Sequence, residues 1–385
     1  MIDAFRKQYG SADGLRVFRA PGRVNVIGEH TDYNLGFVMP MALDLATFVG
    51  TAPNSDGKLR LYSEMHGELR EFEIAKLRET ARQGHWTDYP IGVARELLAA
   101  GFSIEPANLL IQSTVPEGSG LSSSAALEVS SALAFLDGRS LLPLELARLC
   151  QRAEVQFVKM PCGIMDQYVS VFGREHSAVE IDCRSLEHQY VKLPESVAFL
   201  AVNTMVKHAL GASAYRERVQ ECAAAVELIA KRFHSVASLR DVSPEQFQQV
   251  EKLLPPVIAR RARHVVMEDD RVERFVQESA APDLEAMGRL MLESHWSLQH
   301  DYEVSCAELD FLVERAMKID GVYGSRMTGG GFGGCTVTML RQEAVERFKA
   351  EIAQAYEEAF QVKPRIYDCR PSAGAGEIAE RSRDR

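Results

Sequence analysis

The sequence predicts a mixture of strands and helices arranged as two domains. Three observations carry this. The 385 residues are long for a single hydrophobic core. Apolar residues make up 46% and charged residues 25%, an ordinary globular balance. Segments of period two and segments of helical spacing both occur in the first half, and the chain is mostly helical from Ser213 onward.

Taken in order, Leu15–Ala20 reads as a strand that Pro21-Gly22 stops. A polar loop follows, Gly22-Arg23-Val24-Asn25-Val26-Ile27-Gly28-Glu29-His30-Thr31-Asp32-Tyr33-Asn34. Its crowded charged and hydrogen-bonding groups suit recognition of hydroxyls. A solvated surface loop would not need Val24, Val26 and Ile27. Phe37–Leu45 and Thr47–Thr51 read as two further strands, and Trp86 opens a helix through Ala100. Leu109, Ile111, Ser113 and Val115 alternate as a strand.

That strand runs into Pro116-Glu117-Gly118-Ser119-Gly120-Leu121-Ser122-Ser123-Ser124, and Ala125, Val129, Ala132, Leu133 and Leu136 then recur at helical spacing. The junction offers unpaired backbone N–H groups and the positive end of a helix dipole. Glycines allow close backbone approach and serines add hydroxyls, so the loop suits an anion, most naturally a phosphate. Leu144–Val158 reads as a helix carrying Glu154. In Pro161-Cys162-Gly163-Ile164-Met165-Asp166-Gln167-Tyr168, Asp166 is either a helix cap or a carboxylate aimed into a cleft. Ala178–Ile181 and Val197–Val202 are strands, and the connection holding Pro194 marks the boundary between domains 1–194 and 195–385.

In the second domain, Ser243-Pro244-Glu245-Gln246 is an N-cap with proline at the first helical position, and Ser305-Cys306-Ala307-Glu308 reads as a capping box for a helix through Ala316. Five glycines lie among positions 329–334, before a strand at Thr336–Leu340. Gly329, Gly331 and Gly334 satisfy GxGxxG formally, but a dinucleotide site needs a helix after the motif, so a Rossmann oxidoreductase is rejected. A helix over Glu343–Phe360 and a strand near Arg365–Cys369 close the domain, and the charged tail after Gly376 should fray.

A net charge of −10 argues against a nucleic-acid surface. No run of about 18 apolar residues exists to span a membrane. Met1–Gly10 lacks a signal-peptide core. The seven scattered cysteines contain no CxxC pair, which favours reduced thiols and a cytoplasmic setting. The histidines show no zinc pattern. There is no GxxxxGK[ST] and no HRD or DFG set, so neither a P-loop enzyme nor a protein kinase is expected.

Three motifs in this order, Gly22–Tyr33, Pro116–Ala126 and the glycine-rich loop 328–334, resemble the GHMP kinases. Gly22–Tyr33, Cys162–Gln167, Ile181–Leu186, Asp301–Ser305 and Arg326–Cys335 are similar to segments of the galactokinase family, so the resemblance covers about residues 15–376. It implies an α+β fold: a mixed α/β N-terminal domain with a five-stranded sheet, an α+β C-terminal domain, and a cleft between them for the active site. It also implies ATP-dependent phosphorylation of the anomeric hydroxyl of galactose.

By resemblance, Asp166 is the base and Arg23 lies beside it. An arginine supplies fixed positive charge at a transferring phosphoryl and favours the charged form of a neighbouring carboxylate. Glu29, His30, Thr31, Asp32, Gly163 and Tyr215 match sugar-contacting positions. Gly118, Ser119, Gly120, Leu121, Ser122, Ser123 and Ser124 match the nucleotide phosphate loop, with Ser63 and Trp86 at the adenine. Ser124 and Glu154 match Mg²⁺ ligands, and hard oxygen donors suit that ion. A monomer is expected. A kinase for N-acetylgalactosamine or arabinose is disfavoured by Glu29–Asn34, and a non-catalytic galactose and ATP sensor by the intact serine run, Arg23 and Asp166.

Overall fold

The computed structural model describes residues 1–207 and 211–378. Chain order begins α1 (Ile2–Tyr9), β1 (Arg16–Ile27), β2 (Phe37–Pro53), β3 (Lys58–Ser63), β4 (Glu68–Glu73), α2 (Asp88–Ala99), β5 (Ala107–Ser113), α3 (Ser123–Leu136), α4 (Pro143–Arg152) and α5 (Met165–Phe172). It continues through β6 (Ser177–Asp182), β7 (His188–Lys192), β8 (Val197–Lys207), α6 (Gly211–Ala230), α7 (Pro244–Val250), α8 (Pro256–Ala280) and α9 (Leu284–His300). The last elements are α10 (Ala307–Ala316), β9 (Val322–Thr328), β10 (Gly333–Arg341), α11 (Val345–Phe360), β11 (Arg365–Asp368) and β12 (Gly376–Glu377).

Among the described residues these strands form two sheets. The first has eight strands in the order β12-β1-β2-β5-β3-β4, with β6 pairing the start of β2 and β7 pairing β6. The second has the order β11-β8-β10-β9 and is antiparallel throughout. Only β3 and β5 run parallel in the first sheet. One apolar cluster joins the sheets: Val24, Val26, Met39 and Met41 meet Phe199, Val337, Val272 and Phe275. A second packs α2, α3 and α4 on the first sheet, and a third packs α10 and α11 on the second.

Several expectations are corrected. The first sheet has eight strands where five were expected. β1 does not stop at Pro21-Gly22 but runs to Ile27, so half of the expected polar loop is strand. A register shift between Pro21 and Arg23 absorbs the missing proline N–H. Gly22 is needed for proximity, because a Cβ there would lie 2.6 Å from the Leu121 carbonyl. The two strands expected over 37–51 are the single β2, whose Ala46 pairs Pro21. β3, β4, β7 and β9 were not anticipated; β9 precedes the glycine-rich loop, which is therefore a hairpin turn.

The helix expected over 144–158 is α4 followed by a π-helical stretch, Ala153–Val158. The cap of α10 is Cys306, and the Ser305 hydroxyl donates instead to Asp310. Ser243 and Gln246 do form the capping box of α7. Residues 376–377 of the expected frayed tail pair with β1, and Arg16 grips Glu377 through two hydrogen bonds of 2.8 and 2.7 Å. The rest of that tail, from 379, lies outside the described residues.

Phe275 is fully buried in the cluster that joins the sheets. Phe275→Ala should cost about 3–5 kcal/mol of stability. Guanidinium unfolding should show a lower midpoint at unchanged slope. A loss below about 1 kcal/mol would mean that this joint carries little of the fold.

Candidate active site

Arg23, just past the register shift between β1 and β2, meets the loop before α3. Its backbone N–H donates to the Leu121 carbonyl at 3.1 Å and its guanidinium to the Gly120 carbonyl. The same guanidinium forks onto Asp166, Nε to Oδ1 at 2.8 Å and Nη2 to Oδ2 at 2.9 Å. Ser122 Oγ donates to Asp166 Oδ2 at 2.6 Å. Asp166 sits in the first turn of α5 and points into a cleft, which settles its local ambiguity against a cap.

The cleft holds two cavities joined by the serine run. The smaller, about 120 Å³, is lined by Arg23, Glu29, His30, Asp32, Cys162, Gly163, Asp166, Tyr215, Gly329 and Gly330. Five of the six expected sugar contacts meet there. Thr31 does not: it is buried behind the wall, its hydroxyl donating to the Gly28 and Phe37 carbonyls. Gly163 is obligatory, since a Cβ would lie 1.8 Å from Asp32 Oδ2. Asp32 keeps part of its surface open to the cavity. Burial, with Asp166 and Glu29 near, pushes its pKa up to about 7 against the pull of the Tyr33 N–H and Arg23. Burial first, then the charges of His264 and Arg218, lowers His30 to about 3, so its imidazole is neutral. His30 Nδ1 lies 2.9 Å from the Tyr33 hydroxyl, which lies 2.7 Å from that of Tyr302.

Residues from the second half hold the segment 25–29, whose Glu29 lines the smaller cavity. Glu268 Oε1 accepts from the backbone N–H groups of Gly28 and Glu29 at 3.0 and 3.3 Å. Buried Arg326 donates to the Asn25 and Val26 carbonyls and to Glu29 Oε1, which also accepts from the Gly329 N–H at 2.8 Å. Burial alone would raise the Glu268 carboxyl, but Arg271, His264 and Arg326 outweigh it and hold it well below the carboxylate range. Sequence reasoning gave Arg326 no role and passed over Glu268.

The larger cavity, about 440 Å³, is lined by Ser63, His66, Arg82, Trp86, Gly118, Ser123, Ser124, Lys159 and others. Ser63 and Trp86 thus share one cavity, with the Trp86 ring stacked on His66 at 5.6 Å. Gly118 and Gly120 have φ of +66° and +81°, the left-handed turn that brings the backbone to the N-terminus of α3. Not all of the loop faces this cavity. Ser119 Oγ donates to the Pro116 carbonyl, Leu121 is core, and Ser122 turns to Asp166. Arg82 and Lys159, which sequence reasoning missed, add two cations to the lining.

Glu154 lies behind Ser124 on the π-helical stretch, without itself lining either cavity. It is buried, accepts from Gln167 Nε2 at 2.6 Å, and is hydrogen-bonded to Ser124. Burial, then the Asp166 charge, pushes its carboxyl up to about 7. Among the described residues no group of three His, Cys, Asp or Glu is placed to hold a metal. The Ser124 hydroxyl at the cavity wall and the Glu154 carboxylate bonded to it nonetheless fit an ion that keeps waters and takes phosphate oxygens, as Mg²⁺ does.

Residues 3–53 match the galactokinase galactose-binding signature, 60–174 the GHMP kinases N terminal domain and 275–358 the GHMP kinases C terminal domain. A galactokinase of Roseiflexus sp. (strain RS-1) is 44% identical over 384 residues, covering 99% of this chain and 97% of its own. One of Thermotoga neapolitana is 40% identical over 364 residues, covering 94% and 99%. The crystal structure of Lactococcus lactis galactokinase complexed with galactose superposes with a TM-score of 0.93 at 34% identity, covering 98% of each chain. A mevalonate kinase, with a TM-score of 0.66 at 18% identity over 92% of this chain and 98% of its own, shares the fold. With the sugar signature and both kinase domains matched, and galactokinases 40–44% identical along nearly its whole length, this chain belongs to the galactokinase family of the GHMP kinases.

Proposed function

We propose that the chain transfers the γ-phosphoryl group of ATP to the anomeric hydroxyl of galactose, giving galactose 1-phosphate and ADP. The observation that carries this is the Arg23–Asp166 pair, which stands between a small polar cavity and the serine loop. The sugar occupies the smaller cavity, its hydroxyls met by Glu29, His30, Asp32 and Tyr215. The nucleotide occupies the larger one, with Ser63 and Trp86 at the base and Gly118, Ser123 and Ser124 at the phosphates.

Asp166 accepts the proton of the anomeric hydroxyl as its oxygen attacks the γ-phosphorus and the bond to the leaving ADP oxygen breaks. Arg23 holds the carboxylate bidentately and sets positive charge beside the moving group. Ser122 fixes the other side of the carboxylate. Ser124 and Glu154 would hold Mg²⁺, which would supply positive charge against the phosphate oxygens. The N-terminal domain, residues 1–194, supplies the sugar signature and phosphate loop, and residues 195–385 close the cleft. The two sheets support this division, with β12 returning to the first. The enzyme works as a cytoplasmic monomer; among the described residues no helix is long and apolar enough to cross a membrane.

The wild type should release ADP only when ATP, Mg²⁺ and galactose are all present. Asp166→Asn should lower kcat by about 10²–10⁴-fold. ATP should still quench the fluorescence of Trp86, one of two tryptophans. Full turnover in the variant would remove Asp166 from the chemistry, and faster turnover on N-acetylgalactosamine would overturn the substrate. Gly163→Ala should displace Asp32 and cost on the order of 10²-fold in kcat/KM for galactose; an unchanged value would place the sugar elsewhere.

Asp32 also predicts a pH effect. Its folded pKa of about 7 stands above the ordinary 3.8. Across that window the native state holds a proton that the unfolded chain has lost, so stability falls as pH rises. Unliganded wild type and Asp32→Asn should melt alike near pH 4, with the variant the more stable at pH 8. Parallel melting curves would sink this assignment.

A further inference from the structure

α5 presents two consecutive polar side chains, and Asp166 accounts for only one. Gln167 is fully buried. Its Nε2 donates to Glu154 Oε2 at 2.6 Å and to Glu128 Oε2 at 2.9 Å. Glu128 is also fully buried and lies on α3, four residues after Ser124. One amide thus ties together the helix of Ser124, the helix of Asp166 and the π-helical stretch of Glu154. In this orientation the amide NH₂ serves both carboxyl groups.

A joint that served packing alone would be apolar here, because two acids and an amide in a dry place cost desolvation. Gln167 Oε1 and Glu128 Oε1 have no hydrogen-bond partner among the described residues, so the joint is not optimised for stability. The backbone under Glu154 adds to the case. Such turns are rare and recur at functional sites. Side-chain bonds hold that carboxylate: Gln167 Nε2 at 2.6 Å and, more weakly, Cys162 Sγ at 3.6 Å reach the same Oε2, and Ser124 bonds to the carboxylate as well.

We propose that Gln167 is a positioning residue of the metal site: it aims the Glu154 carboxylate toward Ser124, with Glu128 as the anchor that fixes the amide. The proposal rests on the reading of Ser124 and Glu154 as Mg²⁺ ligands, and adds to it two residues that touch neither substrate. It also links the base to the ion, because Asp166 and Gln167 move together on α5.

The test is a titration with Mn²⁺ in the presence of ADP, read by electron paramagnetic resonance, on wild type, Gln167→Met and Glu154→Gln. Methionine keeps the length of the side chain and removes the donor. Gln167→Met should weaken Mn²⁺ binding by about 10–100-fold, as loss of an outer partner of a metal ligand does. The Mg²⁺ concentration for half-maximal ADP release should rise in step, excess Mg²⁺ should recover part of kcat, and the galactose KM should stay within about twofold. A merely structural role would not be rescued by the ion. Wild-type Mn²⁺ affinity in Gln167→Met, with Glu154→Gln weakened, overturns the role of Gln167 alone. Wild-type affinity in Glu154→Gln overturns the metal-ligand reading and this proposal with it. Should Gln167→Met fail to fold, Gln167→Asn, whose amide falls one methylene short, is titrated instead; weakened binding supports the proposal and unchanged binding overturns it.

Discussion

The structure is built around a buried arginine that must be paired. Arg23 has left water, and a guanidinium cannot shed its charge, so every donor needs an acceptor within reach. Asp166 takes two of them and the Gly120 carbonyl a third. That requirement fixes β1 against the loop before α3, fixes α5 against β1, and makes Gly22 the only residue that lets the backbones come close enough. The charge pair that suits phosphoryl transfer is therefore also what locates three elements relative to one another.

A second buried charge network does the same for the sugar side. Glu268 and Arg326 come from α8 and β9, yet their partners are the backbone and side chain of residues 25–29. Removing one member of such a network leaves a buried charge without its partner, a loss of about 3–5 kcal/mol. The cleft is thus not two walls that happen to face each other. Its N-terminal wall is held in shape by residues that the C-terminal half supplies.

How far the sequence could be read depended on whether a residue's partner is near in the chain. The junction at 118–124 is legible because glycine spacing, serines and the switch from period two to helical spacing are all local. The continuation of β1 is not, because Pro21-Gly22 punctuates most chains and only Leu121, a hundred residues away, explains its use here. Glu268 lies in a helix with charges every few residues, the pattern of a solvated face, and nothing local marks it as buried. Glu154 was placed by resemblance, but its π-helical setting has no sequence signature. Thr31, Ser119 and Leu121 belong to the right motifs and turn inward, since a motif marks a segment and not the direction of each side chain. Arg82 and Lys159 converge on the larger cavity from segments with no shared pattern.

The contact between Gly163 and Asp32 has a consequence for the history open to such a protein. With no room for even one carbon between them, the two positions cannot change independently. Any side chain at 163 requires residue 32 to be shortened or turned first, and that earlier step moves or removes a carboxylate of the cavity wall before anything is gained. A lineage moving toward a differently substituted sugar would meet a fitness valley along this route. Positions on the same wall with slack beside them, Gly330 with its nearest neighbour 3.7 Å from a Cβ, offer a path with no such descent.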